Sequence, residues 1–547
     1  MFNLIHNLWI PILRQSGEHE VITPWQLTNQ IQENPIIHIN SPRPDFNGAL
    51  IQFLIGLLQT GMGPSTEEEW RHLFRSPPSP DQMRVDFEPI AHAFHLDGDG
   101  YHFMQEHQMV GGDKRPIDSL LIEMPGENTI RLNRDHFLKR ETVKGMCPPC
   151  SAMALLSLEI NGPSGGRGHL TGIRGGGPLT TIVLGRNLWQ TVWLNVLSDD
   201  LFLRDRFGNR EKQNITDKFP WMGDARTSEA GEQLVKEDVH PTHIFWSMPR
   251  RILLNLDNLT SGTCDVCGNE GVELVTSYST KPHGIRYRQE SWRHPLTPYY
   301  RRESTDSVQM LPYHCQPGGI RYRHWLGLIQ KDEDRGQEPS EVVHLFQRSR
   351  WSTIQDSLPR NPMVWAFGYD MDNMKARCWY EGSMPLIHVK ESYRRPFESS
   401  VTQIVKTADY INANLRRAII KAVYPEKSEQ KNELTVASSR FWHATEDLFY
   451  STQYDLLHTI KANGDTASVK LEWLKLANQT TQSVFEDYAQ IRRIDEGDPK
   501  RIIHAYRDLR RFNSPKSKKV REILGLPQEK RRDEVDQMTS PIDVGDQ

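Results

Sequence analysis

The sequence predicts an α+β protein. A large mixed domain over residues 1–392 is organised around two remote cysteine pairs; a C-terminal four-helix bundle over 393–531 and a polar, disordered tail over 532–547 follow. Three observations predict it. Two C-x-x-C pairs, Cys147-Pro-Pro-Cys150 and Cys264-Asp-Val-Cys267, lie far apart in the chain. A glycine-laden run at 162–178 follows the first pair and gives way at once to apolar segments. From residue 401 onward, helical periodicity dominates.

Two residues between cysteines let both sulfurs turn toward one ion, so Cys147, Cys150, Cys264 and Cys267 predict a closed, structural Zn²⁺ site. Their long separation makes the ion a clamp between distant segments rather than the centre of a small finger. Redox dithiols of the thioredoxin type come singly at a strand-to-helix junction, and unbonded core cysteines are the bland alternative. Four sulfurs leave no position open for a catalytic water. Cys315 and Cys378 stand alone and are expected simply to pack.

With 547 residues the chain is long enough for more than one core. No apolar run has the length of a membrane span, and residues 1–13 (MFNLIHNLWIPIL) lack the charged start of a signal peptide, so a cytoplasmic protein without a membrane partner is expected. A formal charge of -4 excludes a uniformly basic coat but allows local basic surfaces.

In chain order, 2–12 reads as an opening strand, and 22–27 as the start of a short helix capped by Thr23. Residues 45–60 space apolar groups for a buried helix, and 83–94 form an amphipathic stretch between loops. The Lys- and Arg-rich segment 128–146, with Phe137, Leu138 and Lys139 at its middle, reads as a loop anchored by the first cysteine pair. The glycine run carries no Gly-Lys-Ser/Thr ending and no G-x-G-x-x-G opening a helix, which argues against nucleotide hydrolysis. Segments 281–302 and 321–325 interleave Arg with Tyr and Trp, a pattern that suits base stacking or a protein interface. Residues 363–369 and 375–380 make a hairpin with 370–373 as its turn. Helices are expected at 401–423, 438–460, 467–487 and 499–511. Residues 500–521 hold nine Lys or Arg against the single Asp508, a basic face open to nucleic acid or merely to solvent.

The ordered set FNLIHNLWIPI, CPPC, NGPSGGRGHLTGIRGGGPLTT, RNLWQTVWLNVL, CDVCGNE, WRHPLTP and GYDMDN, with helices after it, resembles the large subunit (CasA) of Cascade, the type I-E CRISPR RNA-guided surveillance complex. The resemblance spans nearly the whole chain. It implies a non-catalytic subunit that inspects duplex DNA for the protospacer-adjacent motif from the minor groove, helps open it, and helps recruit the helicase-nuclease. It implies other Cascade subunits, crRNA and target double-stranded DNA as partners. It places the groove-contacting glycine loop at Gly162, Ser164, Gly165, Gly166, Arg167 and Gly168, and a groove-contacting lysine at Lys281. Phe137, Leu138 and Lys139 fall where the family engages the complex near the crRNA 5′ handle. At the hairpin tip, where the family inserts a glutamine wedge, this chain offers Asn373 or Met374.

Two readings from other classes stand beside it. One is a zinc hydrolase or nuclease recruiting His169, His283, His294, His314 and Asp265, though no H-E-x-x-H or His-x-His spacing supports it. The other is a scaffold whose clamp and helices serve protein contacts only.

Overall fold

The computed structural model describes residues 1–124, 142–166, 168–204, 206–303, 308–372, 375–423, 431–491 and 498–527. The chain forms two compact units, Met1–Ile320 with Gly327–His388, and Arg321–Leu326 with the chain from Val389 onward. Among the described residues no helix is long and apolar enough to cross a membrane.

In the first unit the opening strand lies later than the apolar pattern suggests, at Ile10–Arg14, between His19–Ile22 and Ile36–Ile39. Of the residues before it, Asn3, Leu4, Ile5 and Trp9 are buried, but the chain there turns instead of running as a strand. Asn3 is the reason: its side-chain oxygen accepts from the Ile5 amide at 2.8 Å, while Asn7 accepts from the Asn3 amide at 2.7 Å, which offers the backbone an alternative to a ladder. Thr23 caps a short 3-10 helix, Pro24–Thr28, with Gln26 reaching back to its amide at 2.9 Å.

The helix Pro44–Gly61 is buried along most of its length. A Cβ on its Gly48 would lie 2.7 Å from Trp379 and 2.9 Å from Phe367. The missing side chain therefore lets the hairpin's aromatic rings lie against the helix backbone, at the usual helical penalty of about 1 kcal/mol. Those rings belong to the strands Met363–Asp372 and Lys375–Pro385, which pair from Met363 opposite Pro385 to Asp372 opposite Lys375 and add Thr180–Val183 on the other edge. The expected turn at 370–373 is shorter than the sequence suggests, because Asp370, Met371 and Asp372 stay in the ladder. The Arg377 guanidinium forks onto the buried Asp370 carboxylate at 2.7 and 3.0 Å, which keeps a charged pair inside a strand.

A further sheet sets Ser277–Lys281 between Asp113–Pro116 and Arg251–Leu254, with Arg251 opposite Lys281. The helix Pro148–Asn161 starts at the first cysteine pair and ends at the glycine run.

The second unit is helical. From Val389 onward its described residues carry six α-helices where the sequence reading draws four: Glu391–Val423, Lys431–Ala444, Glu446–Lys461, Ala467–Ile491, Pro499–Phe512 and Lys518–Leu524. The longest touches all the others. The stretch expected as one helix over 438–460 is two, broken at Thr445, whose hydroxyl lies 2.8 Å from the Tyr322 hydroxyl and 2.8 Å from the Phe441 carbonyl. Polar contacts lock the helices, with Asn414 and Asn478 both donating to Asn513 and Lys421 pairing with Asp508 at 2.7 Å.

Candidate nucleic-acid interface and cysteine cluster

The four cysteines come together. Their Sγ atoms all lie within 4.8 Å of one another, and those of Cys147 and Cys267 are 3.8 Å apart. A tetrahedral ion with bonds of about 2.3 Å to sulfur sets its ligands about 3.8 Å apart, so the donor set and spacing fit a closed site. Cys147 is the N-cap of the helix Pro148–Asn161, whose positive end favours a thiolate, and Pro148 and Pro149 cost no backbone donor there. The second pair sits in the turn joining Thr260–Gly262 to Val272–Leu274, closed by the Cys264 amide on the Asn269 carbonyl and the Gly268 amide on the Cys264 carbonyl, each 2.9 Å.

Backbone bonds weld the two halves. The Asp265 carboxylate accepts from the Lys144 and Gly145 amides at 2.7 and 2.9 Å, the Cys147 amide reaches the Cys264 sulfur at 3.3 Å, and Met146 pairs with Val275. Hydrogen bonding with Cys147 and Cys264, and then burial, push the Cys150 thiol far above its ordinary value. Held as thiolates, four sulfurs at this spacing would need a cation among them.

The glycine loop is a tight, exposed turn. The Gly165 amide donates to the His169 carbonyl at 3.0 Å and the His169 amide to the Gly166 carbonyl at 2.9 Å, with Ser164 and Gly165 exposed. Gly166 and Gly168 take φ of +70° and +82°, which disfavours any side chain there. A Cβ on Gly166 would meet nothing within 4 Å, so this face of the backbone is open. One on Gly168 would lie 2.9 Å from the His283 amide nitrogen, which donates to the Gly168 carbonyl at 2.8 Å. Lys281, half-buried at the end of its strand, is two residues along the chain from that contact. Burial, with Arg250 and Arg115 nearby, pushes the His169 imidazole down to about 4.

Other expected site residues fall elsewhere. Phe137, Leu138, Lys139, Arg167, Asn373 and Met374 lie outside the described residues. Most of the aromatic residues read as stacking groups are core: Tyr287, Trp292 and Tyr299 are buried in the first unit, and Tyr322 and Trp325 pack on Trp442 and Phe449 in the second; Tyr300 is half-buried. Arg321 is spent on Glu446 at 2.7 Å. Burying a Tyr or Trp ring gains more than exposing it, and sequence spacing alone does not reveal which side it faces. Arg286, Arg288, Arg301 and Arg302 remain exposed.

The residues named for a hydrolase do other work. The His294 Nδ1 accepts from the Leu296 amide at 3.2 Å, the His314 Nε2 lies 3.1 Å from the Arg174 carbonyl, and Asp265 is spent on backbone amides. Among the described residues, the cysteines are the group of His, Cys, Asp or Glu placed to share an ion. What the sequence reading missed is the pair Glu159 and Arg250 beneath the glycine turn. A lone carboxylate in the apolar run 152–160 was the signal that could have found it.

These features define a class: a mixed α+β unit stapled by four cysteines, bearing an open glycine turn beside a lysine, with a helical unit in the same chain. The family model for CRISPR-associated protein Cse1 matches residues 3–484. The chain belongs to that family. Its fold is similar to that of Thermobifida fusca Cse1 (TM-score 0.69, 15% identity, 96% of this chain and 98% of that one covered). It is similar as well to that of Thermus thermophilus CasA (0.67, 16%, 94% and 99%). A chain of a structure titled as a CRISPR RNA-guided surveillance complex also matches (0.63, 15%, 94% and 99%).

Proposed function

We propose that this chain is the non-catalytic large subunit of a type I-E CRISPR RNA-guided surveillance complex, and that it reads the protospacer-adjacent motif of target duplex DNA from the minor groove. The observation that carries the reading is the open backbone at Gly166, in a glycine turn whose Gly168 carbonyl takes a hydrogen bond from His283, two residues beyond Lys281. The minor groove offers a degenerate pattern of acceptors, which suits bare amides and one ammonium better than a forked side chain. Guide pairing, supplied by companion subunits and crRNA, does the remaining sequence reading. Phe137, Leu138 and Lys139 engage the complex near the crRNA 5′ handle, and Asn373 or Met374 takes the wedge position at the end of the braced hairpin. The ion held by the cysteines is a structural Zn²⁺. The region 1–392 serves DNA reading, the helical region 393–531 serves assembly, and the helicase-nuclease is recruited in the cytoplasm once the target is open.

The test uses the assembled complex with a defined guide. Gly166→Val and Lys281→Ala are expected to weaken binding of a guide-matched, motif-bearing duplex about tenfold each, the factor that about 1.4 kcal/mol makes, while assembly is unchanged and no DNA is cut. Unaltered affinity in both variants would reject the site, and indifference of the whole complex to duplex DNA would leave a scaffold.

A further inference from the structure

Glu159 is 0% exposed near the end of an apolar helix, a costly position for a carboxylate. Its Oε2 accepts from the Arg250 amide at 3.1 Å, and its Oε1 is sealed from solvent with no hydrogen-bond partner among the described residues. The Arg250 guanidinium runs beneath the glycine turn. One terminal nitrogen donates to the Pro163 carbonyl, and the other is 3.1 Å from where a Cβ of Gly165 would stand. A buried carboxyl that reaches one backbone amide and leaves its other oxygen unpaired costs more than it gains, so stability alone does not explain this arrangement. Burial drives the Glu159 carboxyl well above the usual carboxylate range and the Arg250 guanidinium below its own, each opposed by the charge of the other.

The pair's place in the fold gives it a task. Arg250 precedes the strand Arg251–Leu254, and His283 follows the strand Ser277–Lys281, which pairs with it so that Arg251 faces Lys281. Arg250 and His283 therefore leave the same end of one strand pair. Arg250 holds the turn at Pro163 and the His283 amide holds it at Gly168. The ammonium of Lys281 grows from that same end. The distance between turn and lysine is thus set by one covalent frame and two grips.

We infer that Glu159 and Arg250 are positioning residues that hold the glycine turn in register with Lys281, and that this register determines how sharply the motif is discriminated. The inference rests on the proposed reading of the turn as a groove-contacting element. Backbone readout works through hydrogen bonds that fail beyond a few tenths of an ångström, so a turn released from Arg250 touches DNA without choosing among sequences.

The experiment uses the assembled complex with one guide and a duplex library in which the guide-matched segment is constant and the flanking base pairs are random. Retained duplexes are sequenced, and melting temperature and binding of a single-stranded guide-matched target, which has no flanking duplex, are measured alongside. Arg250→Met is expected to flatten the flank preference about tenfold, about 1.4 kcal/mol, with single-strand binding at the wild-type level. Glu159→Gln, which keeps an acceptor for the Arg250 amide, should flatten it less, and Arg250→Lys should not restore it. Should Arg250→Met fail to fold, these two variants carry the test. A wild-type preference in the Arg250 and Glu159 variants, where Lys281→Ala has lost it, overturns the inference and leaves the reading of the turn intact. Preference retained in Lys281→Ala and Gly166→Val overturns both. Equal losses of single-strand binding and flank preference would mean a merely structural role and also overturn the inference.

Discussion

The first unit joins residues far apart in the chain, through its sheets and through single polar fastenings; the second is fastened along a long helix. In the first, the Cys147 amide meets the Cys264 sulfur across 117 residues, Arg250 meets Glu159 across 91, and Arg43 meets Glu123 across 80. Several of these fastenings tie a helix to a loop: Cys147 and Arg43 cap helices and Glu159 lies near the end of one, while Arg250 and the turn around Asp265 belong to loops. In the second, a 33-residue helix supplies a long, mostly apolar buried face against which the other helices lie. Its distant fastening is the Arg321–Leu326 segment, whose Tyr322 stacks on Phe449 with ring centroids 4.4 Å apart. A fold held at points can present an exposed turn in a fixed pose; a fold held along a stripe resists the loss of any single contact.

The comparison is broken most severely at the cysteines. Structural ions of this kind contribute about 10 kcal/mol or more to small metal domains, against total stabilities of about 5–15 kcal/mol. Cys147→Ser is therefore expected to unfold much of the first unit and abolish metal retention, while the helical signal of the second persists. Calorimetry and metal analysis of the purified chain check this. A variant that keeps both its first-unit transition and its ion would show that the clamp is dispensable.

The same contrast explains what could be read from the sequence. Helical periodicity is local information, so the helices at 467–487 and 499–511 lie within observed ones, Ala467–Ile491 and Pro499–Phe512. The break at Thr445 was not legible because it depends on Tyr322, more than a hundred residues upstream. The cysteine cluster was legible because C-x-x-C spacing encodes ligand geometry directly. The register of Lys281 with Arg251, and hence the neighbourhood of lysine and glycine turn, was not, since strand pairing across remote segments leaves no mark in either strand alone. The aromatic and arginine-rich stretches misled for a related reason: Trp292 and Trp325 bury their rings against partners that composition does not name.

The second unit's distant fastening offers a smaller break. Trp325 is 2% exposed and meets Phe449 edge-on at 5.4 Å. Trp325→Ala removes a large ring from a closed site, and such truncations destabilise by about 3–5 kcal/mol. The expected result is a lowered helical transition by calorimetry with the bound metal unchanged. A first-unit transition that falls instead would assign the segment to the wrong core.

The smallest effect sharpens the comparison through pH. His243 is 0% exposed in the first unit, and its tautomer follows from its partners. The Nδ1 donates to the Asp217 carbonyl at 3.2 Å, so the Nε2 accepts from the Tyr287 hydroxyl at 3.1 Å, which itself accepts from the Met248 amide at 3.0 Å. A second proton would displace the Tyr287 hydrogen. Burial, and then Arg226, push this imidazole down to about 3. Below about pH 6.5 the unfolded chain takes up a proton that the folded chain refuses, so the stability present above that pH is lost on acidification, by about 1.4 kcal/mol per pH unit. Buried carboxyls act in the opposite sense. Glu159 and Asp199, the latter pushed up to about 6 by burial and by Glu69 and Asp200, hold protons that the unfolded chain releases, so acidification through their range adds stability. A single scan mixes the two signs, and the difference between variants separates them. His243→Gln, an amide that can still donate to the Asp217 carbonyl, is expected to shrink the stability change between pH 6.5 and pH 5 by about 2 kcal/mol, the product of that slope and the interval. An identical pH slope in wild type and variant would place the titrating group elsewhere in the unit.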